Sequence, residues 1–147
     1  MKGVELRCFR MEDTEGLLAL WRECGIAVRE DRPRLTIQKK MNHSPEAFWV
    51  ACVEGRVVAS LMAGYDGVRG WLYRLAVLPD FRSRGVGRAL VDKAESWLRE
   101  LGCPKVKLQV EPGDEGPIEF YRRLGYERRD LVDMSRLLAS ERGGPAD

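Results

Sequence analysis

Between Arg74 and Arg88 the chain reads RLAVLPDFRSRGVGR, where an apolar run stops at Pro79 and three arginines, Arg82, Arg84 and Arg88, crowd a Gly85-Val86-Gly87 step. Glycine lets a ligand approach the backbone closely. With a helix starting at Gly85, the first N–H groups lack partners and the macrodipole is positive, so the step is a prepared seat for phosphate, reinforced by the arginines. A pyrophosphate is the ligand this predicts. Spacing excludes two other phosphate motifs, because Walker A needs a lysine after its last glycine and the dinucleotide fingerprint needs a third glycine, whereas Gly87 is followed by Arg88, Ala89 and Leu90. A structural reading competes with the chemical one: glycines in a tight turn and arginines as a solvated face.

The elements that must position this step are legible from periodicity. Gly3 to Phe9 alternates Val4, Leu6 and Cys8 against Glu5 and Arg7 and reads as a strand. A helix follows over Glu12 to Cys24, its stripe made by Leu17, Leu18, Leu20 and Trp21 and its end set near Gly25. Ile26 to Asn42, broken by Pro33, reads as a mobile loop and a short helix carrying Leu35, Ile37 and Met41. Phe48 to Val53 and Arg56 to Ala63 flank Glu54-Gly55 as a hairpin, and Trp71 to Leu78 forms a fourth strand ended by Pro79. After Gly85 an amphipathic helix runs through Leu90, Ala94 and Leu98 to a cap at Gly102. Lys105 to Glu111 alternates as a fifth strand, Pro117 to Leu124 is a helix opened by proline and capped by Gly125, and Tyr126 to Met134 is a last strand. The order predicts an α/β (α+β) fold, a mixed sheet in one domain over 1–139, with 140–147 a disordered tail.

With 147 residues, 44% hydrophobic and 33% charged, the chain suits one globular domain with a real core, and disordered, collagen-like and disulfide-scaffold classes fall away. A formal charge of +2 argues against nucleic acid as a partner. Cys8, Cys24, Cys52 and Cys103 form no CxxC pair, so a zinc ribbon is not expected, nor any other metal site. The longest apolar run, Val57 to Gly64, is too short to span a membrane, and a cytoplasmic location is the expectation. His43 is the only histidine and no GxSxG accompanies it, which removes a Ser-His-Asp triad. Cys103 reads as a small buried hydrophobe. Arg29, Glu30, Asp31, Arg32 and Arg34 read as solvated charges, and Tyr65-Asp66-Gly67 as a turn.

The Arg82-x-x-Gly85-x-Gly87 signature, the amphipathic helix and strand after it, and then Phe120-Tyr121-Arg122-Arg123-Leu124-Gly125-Tyr126 resemble the GNAT superfamily of acetyl-CoA-dependent N-acetyltransferases over most of the chain. Lys40-Met41-Asn42-His43, Gly64-Tyr65-Asp66-Gly67 and Gly102-Cys103-Pro104-Lys105 look like its bacterial YpeA-type members. The resemblance implies a mainly antiparallel twisted sheet flanked by helices, with acetyl-CoA as cosubstrate. Leu75, Ala76 and Val77 would bond the pantetheine through main-chain groups, and the amides of Ser83, Arg84, Gly85, Val86, Gly87 and Arg88 would hold the pyrophosphate. A primary amine would attack the thioester directly, the oxyanion meeting an N–H near Val77, and Tyr121 would protonate the leaving thiolate. The loop bearing Arg29 to Arg34 would help cover the acceptor, with Tyr73 and the Tyr65 turn nearby. Members of the family often pair, so a homodimer stays open, and the amine itself is not named by any residue.

Two departures weaken proton transfer. Gln109 stands where related protein acetyltransferases carry a glutamate base and cannot take a proton. Glu111, on the same strand face, is the candidate base through water, against a reading as a strand-end surface carboxylate. Asp114 replaces the family's asparagine ahead of the tyrosine and loses its amide donor, although it keeps acceptor oxygens for the cofactor. Such a set suits amines that are already partly neutral, an α-amine near pKa ~7.7 before a lysine near ~10.4. It also leaves a second class open, a non-catalytic acyl-CoA-binding or sensing module.

Overall fold

A computed structural model describes residues 1–26 and 32–139. Two compact units follow each other along the chain, Met1–Leu108 and a second beginning at Gln109. The first holds a five-stranded sheet in the order β1 (Glu5–Cys8), β2 (Phe48–Val53), β3 (Arg56–Tyr65), β4 (Gly70–Val77), β5 (Val106–Lys107). Its first four strands pair antiparallel and β5 joins β4 parallel. The helices are α1 (Thr14–Glu23), α2 (Pro33–His43) and α3 (Val86–Glu100). The mixed, mainly antiparallel sheet with helices on it is thus the expected one.

Local chemistry explains the elements. The β2–β3 hairpin turns on Glu54 and Gly55 at φ 49° and 79°, both left-handed as the tightest hairpin turn demands. Proline opens α2 at a position whose N–H needs no helical acceptor. At the entry to α1, Asp13 takes two bonds from the Arg7 guanidinium, at 2.7 and 2.9 Å, and one from the Arg10 N–H at 2.8 Å. That pairing holds the Asp13 carboxyl below the usual carboxylate range.

Both α1 and α3 pack on β3. Successive strand residues face opposite sides, so the unbroken burial of Val57 to Ala63 means that both faces of β3 are covered. Leu17, Leu20 and Trp21 from α1 and Val86, Leu90, Val91 and Ala94 from α3 are almost wholly buried, each larger side chain contributing roughly 1.5–3 kcal/mol. Between β3 and β4 the register slips: Ser60 faces Ala76, but Met62 faces Tyr73. Arg74 and Leu75 therefore stand opposite Leu61 alone, a bulge with Arg74 at φ 61°.

Three expectations are corrected. The fifth strand, read over Lys105 to Glu111, pairs only at Val106 and Lys107, because the ladder to Gly70 and Trp71 ends before the bulge re-aims β4. The last helix, α4, spans Glu115–Arg123, so Pro117 lies inside its first turn and does not open it. Residues 126–139 form no strand. Four charges in a row, Glu127 to Asp130, and the uneven spacing of Leu131, Val132, Met134, Leu137 and Leu138 give that stretch no alternating face, and those apolar side chains are exposed. Arg29, Glu30, Asp31, part of the loop expected to be mobile, and the tail 140–147 lie outside the described residues. Among the described residues no helix is long and apolar enough to cross a membrane, and no group of His, Cys, Asp and Glu is arranged to hold a metal.

Candidate active site

The site is built from β4 outward. Among the described residues no strand pairs with the β4 edge turned away from β3 beyond Trp71. Main-chain direction alternates along a strand, and the Leu78 N–H donates to the Val58 carbonyl of β3 at 2.9 Å. Ala76 therefore also faces β3, opposite Ser60, while the N–H and C=O groups of Leu75 and Val77 face the open edge. The Val77 carbonyl already has partners, Arg82 Nε at 2.9 Å and the Cys24 thiol at 3.5 Å. The Leu75 N–H and C=O and the Val77 N–H thus point along that edge as a short peptide-like row.

That edge runs into the start of α3. Pro79 to Phe81 make a single 3-10 turn, then Ser83 at φ 61° and Gly85 at φ 84° twist the chain into the helix. Alternating left-handed residues turn successive N–H groups toward a common point, a geometry suited to an anion. Gly85 is the N-cap and its carbonyl accepts the Ala89 N–H at 3.0 Å, so the amides of Val86, Gly87 and Arg88 have no helical acceptor. No acidic residue occupies the first turn of α3. Arg82, Arg84 and Arg88 are exposed there, Arg82 tied to β4 and Arg84 lying over the Phe81 ring at 5.3 Å. Leu75, Val77 and Arg82 to Arg88 are thus gathered on one edge of the first unit, whereas Ala76, expected to bond the pantetheine through its main chain, turns those groups to β3.

In the second unit Tyr121 sits on α4, buried, its ring edge-on to Phe120 and Tyr126 with centroids 5.0 and 5.4 Å away. Burial pushes its phenol well above the ordinary range. Among the described residues no buried side-chain nitrogen or oxygen lacks a hydrogen-bond partner. Asp114 is the N-cap of α4, exposed, with its carbonyl accepting the Ile118 N–H at 3.3 Å. Glu111 is exposed and its carbonyl accepts the Asp114 N–H at 3.0 Å.

Residues 14–126 match the model of the acetyltransferase (GNAT) family. The chain belongs to the GNAT acetyltransferases. A Pectobacterium atrosepticum acetyltransferase is 40% identical over 139 residues, covering 95% of this chain and 99% of that one. An acetyltransferase structure from Streptococcus agalactiae superposes with a TM-score of 0.79 at 19% identity, covering 95% and 93% of the two chains. AAC(6′)-Iy, solved with the bisubstrate analogue CoA-S-monomethyl-acetylneamine, reaches a TM-score of 0.75 at 18% identity over 92% of this chain and 99% of its own. At such identities the two structures speak for the fold.

Several residues of this GNAT acetyltransferase escape sequence reasoning. Lys40 is buried, donating to Ser44 Oγ at 2.8 Å and to the Ala63 carbonyl, with its ammonium 5.5 Å from the Tyr73 ring centroid. Desolvation lowers its pKa to about 8. Its place three residues after buried Ile37 is the one signal that could have found it, since that spacing puts both on one helix face. Gln109 donates its amide to Asp133 Oδ1 at 2.7 Å, a contact no local pattern announces. Asp66 accepts the N–H groups of Val68 and Arg69, and the Tyr65 hydroxyl donates to the Gly67 carbonyl, so that turn is occupied with its own closure.

Proposed function

We propose that this acetyltransferase uses acetyl-CoA to acetylate a primary amine by direct attack on the thioester. The observation that carries this reading is the continuity of the open β4 edge with the left-handed, arginine-rich start of α3. Pantetheine carries amides like a peptide, and the Leu75 N–H and C=O offer it strand-like partners. The pyrophosphate then meets the amides of Val86, Gly87 and Arg88 and the positive end of a 15-residue helix.

In the reaction the neutral amine nitrogen bonds to the thioester carbon, and the Val77 N–H is the donor for the developing oxyanion. Collapse breaks the carbon–sulfur bond, Tyr121 supplies the proton that the thiolate takes, and water carries off the proton lost by nitrogen, with Glu111 as its acceptor. Asp114 offers acceptor oxygens to the cofactor. Gln109 cannot serve as base, so acceptors with low pKa, α-amines ahead of lysine side chains, are the favoured class.

Calorimetric titration of acetyl-CoA into the wild type and Gly87→Trp tests the cofactor half. Saturable wild-type binding, lost in a Gly87→Trp protein that keeps its circular dichroism, is expected, with Arg82→Ala/Arg88→Ala weakening binding as a milder second variant. A folded wild type that binds no acetyl-CoA overturns the reading. Rates measured against pH with α-amine and ε-amine acceptors then test the substrate class, and equal efficiency on lysine counts against it.

A further inference from the structure

The bulge in β4 decides which main-chain groups face the open edge. Upstream of it the Gly70 N–H donates to the Lys105 carbonyl at 2.9 Å, so Gly70 and Leu72 face β5 while Trp71 and Tyr73 face β3. Downstream the phase is reversed, with Ala76 and Leu78 facing β3 and Leu75 and Val77 facing outward. One inserted residue makes that reversal. An unbulged ladder would turn the N–H groups of Leu75 and Val77 into β3 and leave the edge without them.

The bulge depends on Arg74, a residue with a Cβ held at φ 61°, where such residues are strained. Its carbonyl accepts a hydrogen bond from Ser60 Oγ at 3.0 Å, and Ser60 Oγ in turn accepts the Trp21 indole N–H at 3.0 Å. The Arg74 guanidinium lies over the same Trp21 ring, 5.3 Å from its centroid. Ser60 is wholly buried in the apolar run of β3 and Trp21 nearly so. A hydroxyl in that setting is costly unless both its proton and its lone pair are used, and here one goes to Arg74 and the other to Trp21.

We propose that Ser60, backed by Trp21, is a positioning residue that holds the Arg74 bulge and thereby aims the Leu75 main-chain groups at the pantetheine arm and the Val77 N–H at the thioester. This rests on the proposed use of acetyl-CoA. Ser60 and Trp21 act through β4 and touch neither cofactor nor acceptor.

Two ligands separate positioning from general damage: acetyl-CoA, and 3′-phospho-ADP, the nucleotide half of CoA, which carries the phosphates but no pantetheine. For Ser60→Ala the acetyl-CoA Kd is expected to rise about tenfold while that of 3′-phospho-ADP stays within about twofold, and amide exchange accelerates at Ala76 and Leu78, which face β3. Adding Arg74→Gly to Ser60→Ala restores acetyl-CoA affinity, because glycine adopts the left-handed conformation without being held. Unchanged acetyl-CoA affinity in Ser60→Ala, or equal loss of both ligands, overturns the proposal. Should Ser60→Ala not fold, Trp21→Phe removes the indole N–H, keeps an aromatic ring and is judged by the same two ligands. Failure of the wild type to bind acetyl-CoA would instead overturn the proposed function.

Discussion

A phenol titrates near ~10 in water, and burial of Tyr121 raises it further, so the hydroxyl stays protonated, as the proposed general acid must, throughout the neutral and mildly alkaline range. Tyr121→Phe is therefore expected to lower kcat about 100-fold or more while leaving the acetyl-CoA Kd within about twofold; steady-state kinetics beside calorimetry read the split. The FYRRLGY segment makes Tyr121 visible, because a tyrosine in that setting carries a resemblance. Lys40 has no such label. Its pKa of about 8 lies below the 10.5 of a free lysine, so between those values the unfolded chain binds more protons and stability rises with pH. In Lys40→Met that contribution, on the order of 3 kcal/mol, is absent. Urea unfolding at pH 7 and pH 10.5, as the difference between wild type and variant, checks it, and a difference that does not change with pH would count against the assignment.

Where β4 and α3 meet beside β5, packing leaves no room for a side chain at Gly70. A Cβ on Gly70 would come within 2.9 Å of both Leu98 methyl groups and 3.0 Å of Cys103 Sγ, closer than packed atoms stand. Gly70→Ala is expected to cost about 1–3 kcal/mol through displacement of Leu98, read as a lower urea midpoint at an unchanged m-value. Helix α3 is legible in the sequence because its apolar stripe and the glycine after it are local features, and the return of the Cys103 N–H to the Leu98 carbonyl at 3.0 Å is the expected end around Gly102. The fifth strand is legible only in part. Val106, Leu108 and Val110 do alternate, yet alternation says nothing of where the ladder to a neighbouring strand ends, and the ladder to β4 ends at Trp71.

For the whole molecule, a ligand that binds only the folded chain stabilises it by RT ln(1 + [L]/Kd), about 2.7 kcal/mol at a hundredfold excess over Kd. A chain of this length gains roughly 2–4 °C per kcal/mol. Acetyl-CoA at that excess should raise Tm by about 5–10 °C in calorimetric melting, and a Gly87→Trp protein should show no rise. The proposed phosphate seat is readable from Arg82, Gly85, Gly87 and Arg88 alone, because a helix start, its unpaired N–H groups and the freedom of glycine depend on neighbours in the chain. The hairpin at Glu54-Gly55 and the stripe of α1 are legible for the same reason. The direction of the Leu75 and Val77 main-chain groups is not: it depends on a bulge held by a serine of β3 and a tryptophan of α1, residues 14 and 53 positions before Arg74. The ionisation of Lys40 is hidden likewise, since desolvation is a property of everything packed around a side chain and of nothing written beside it.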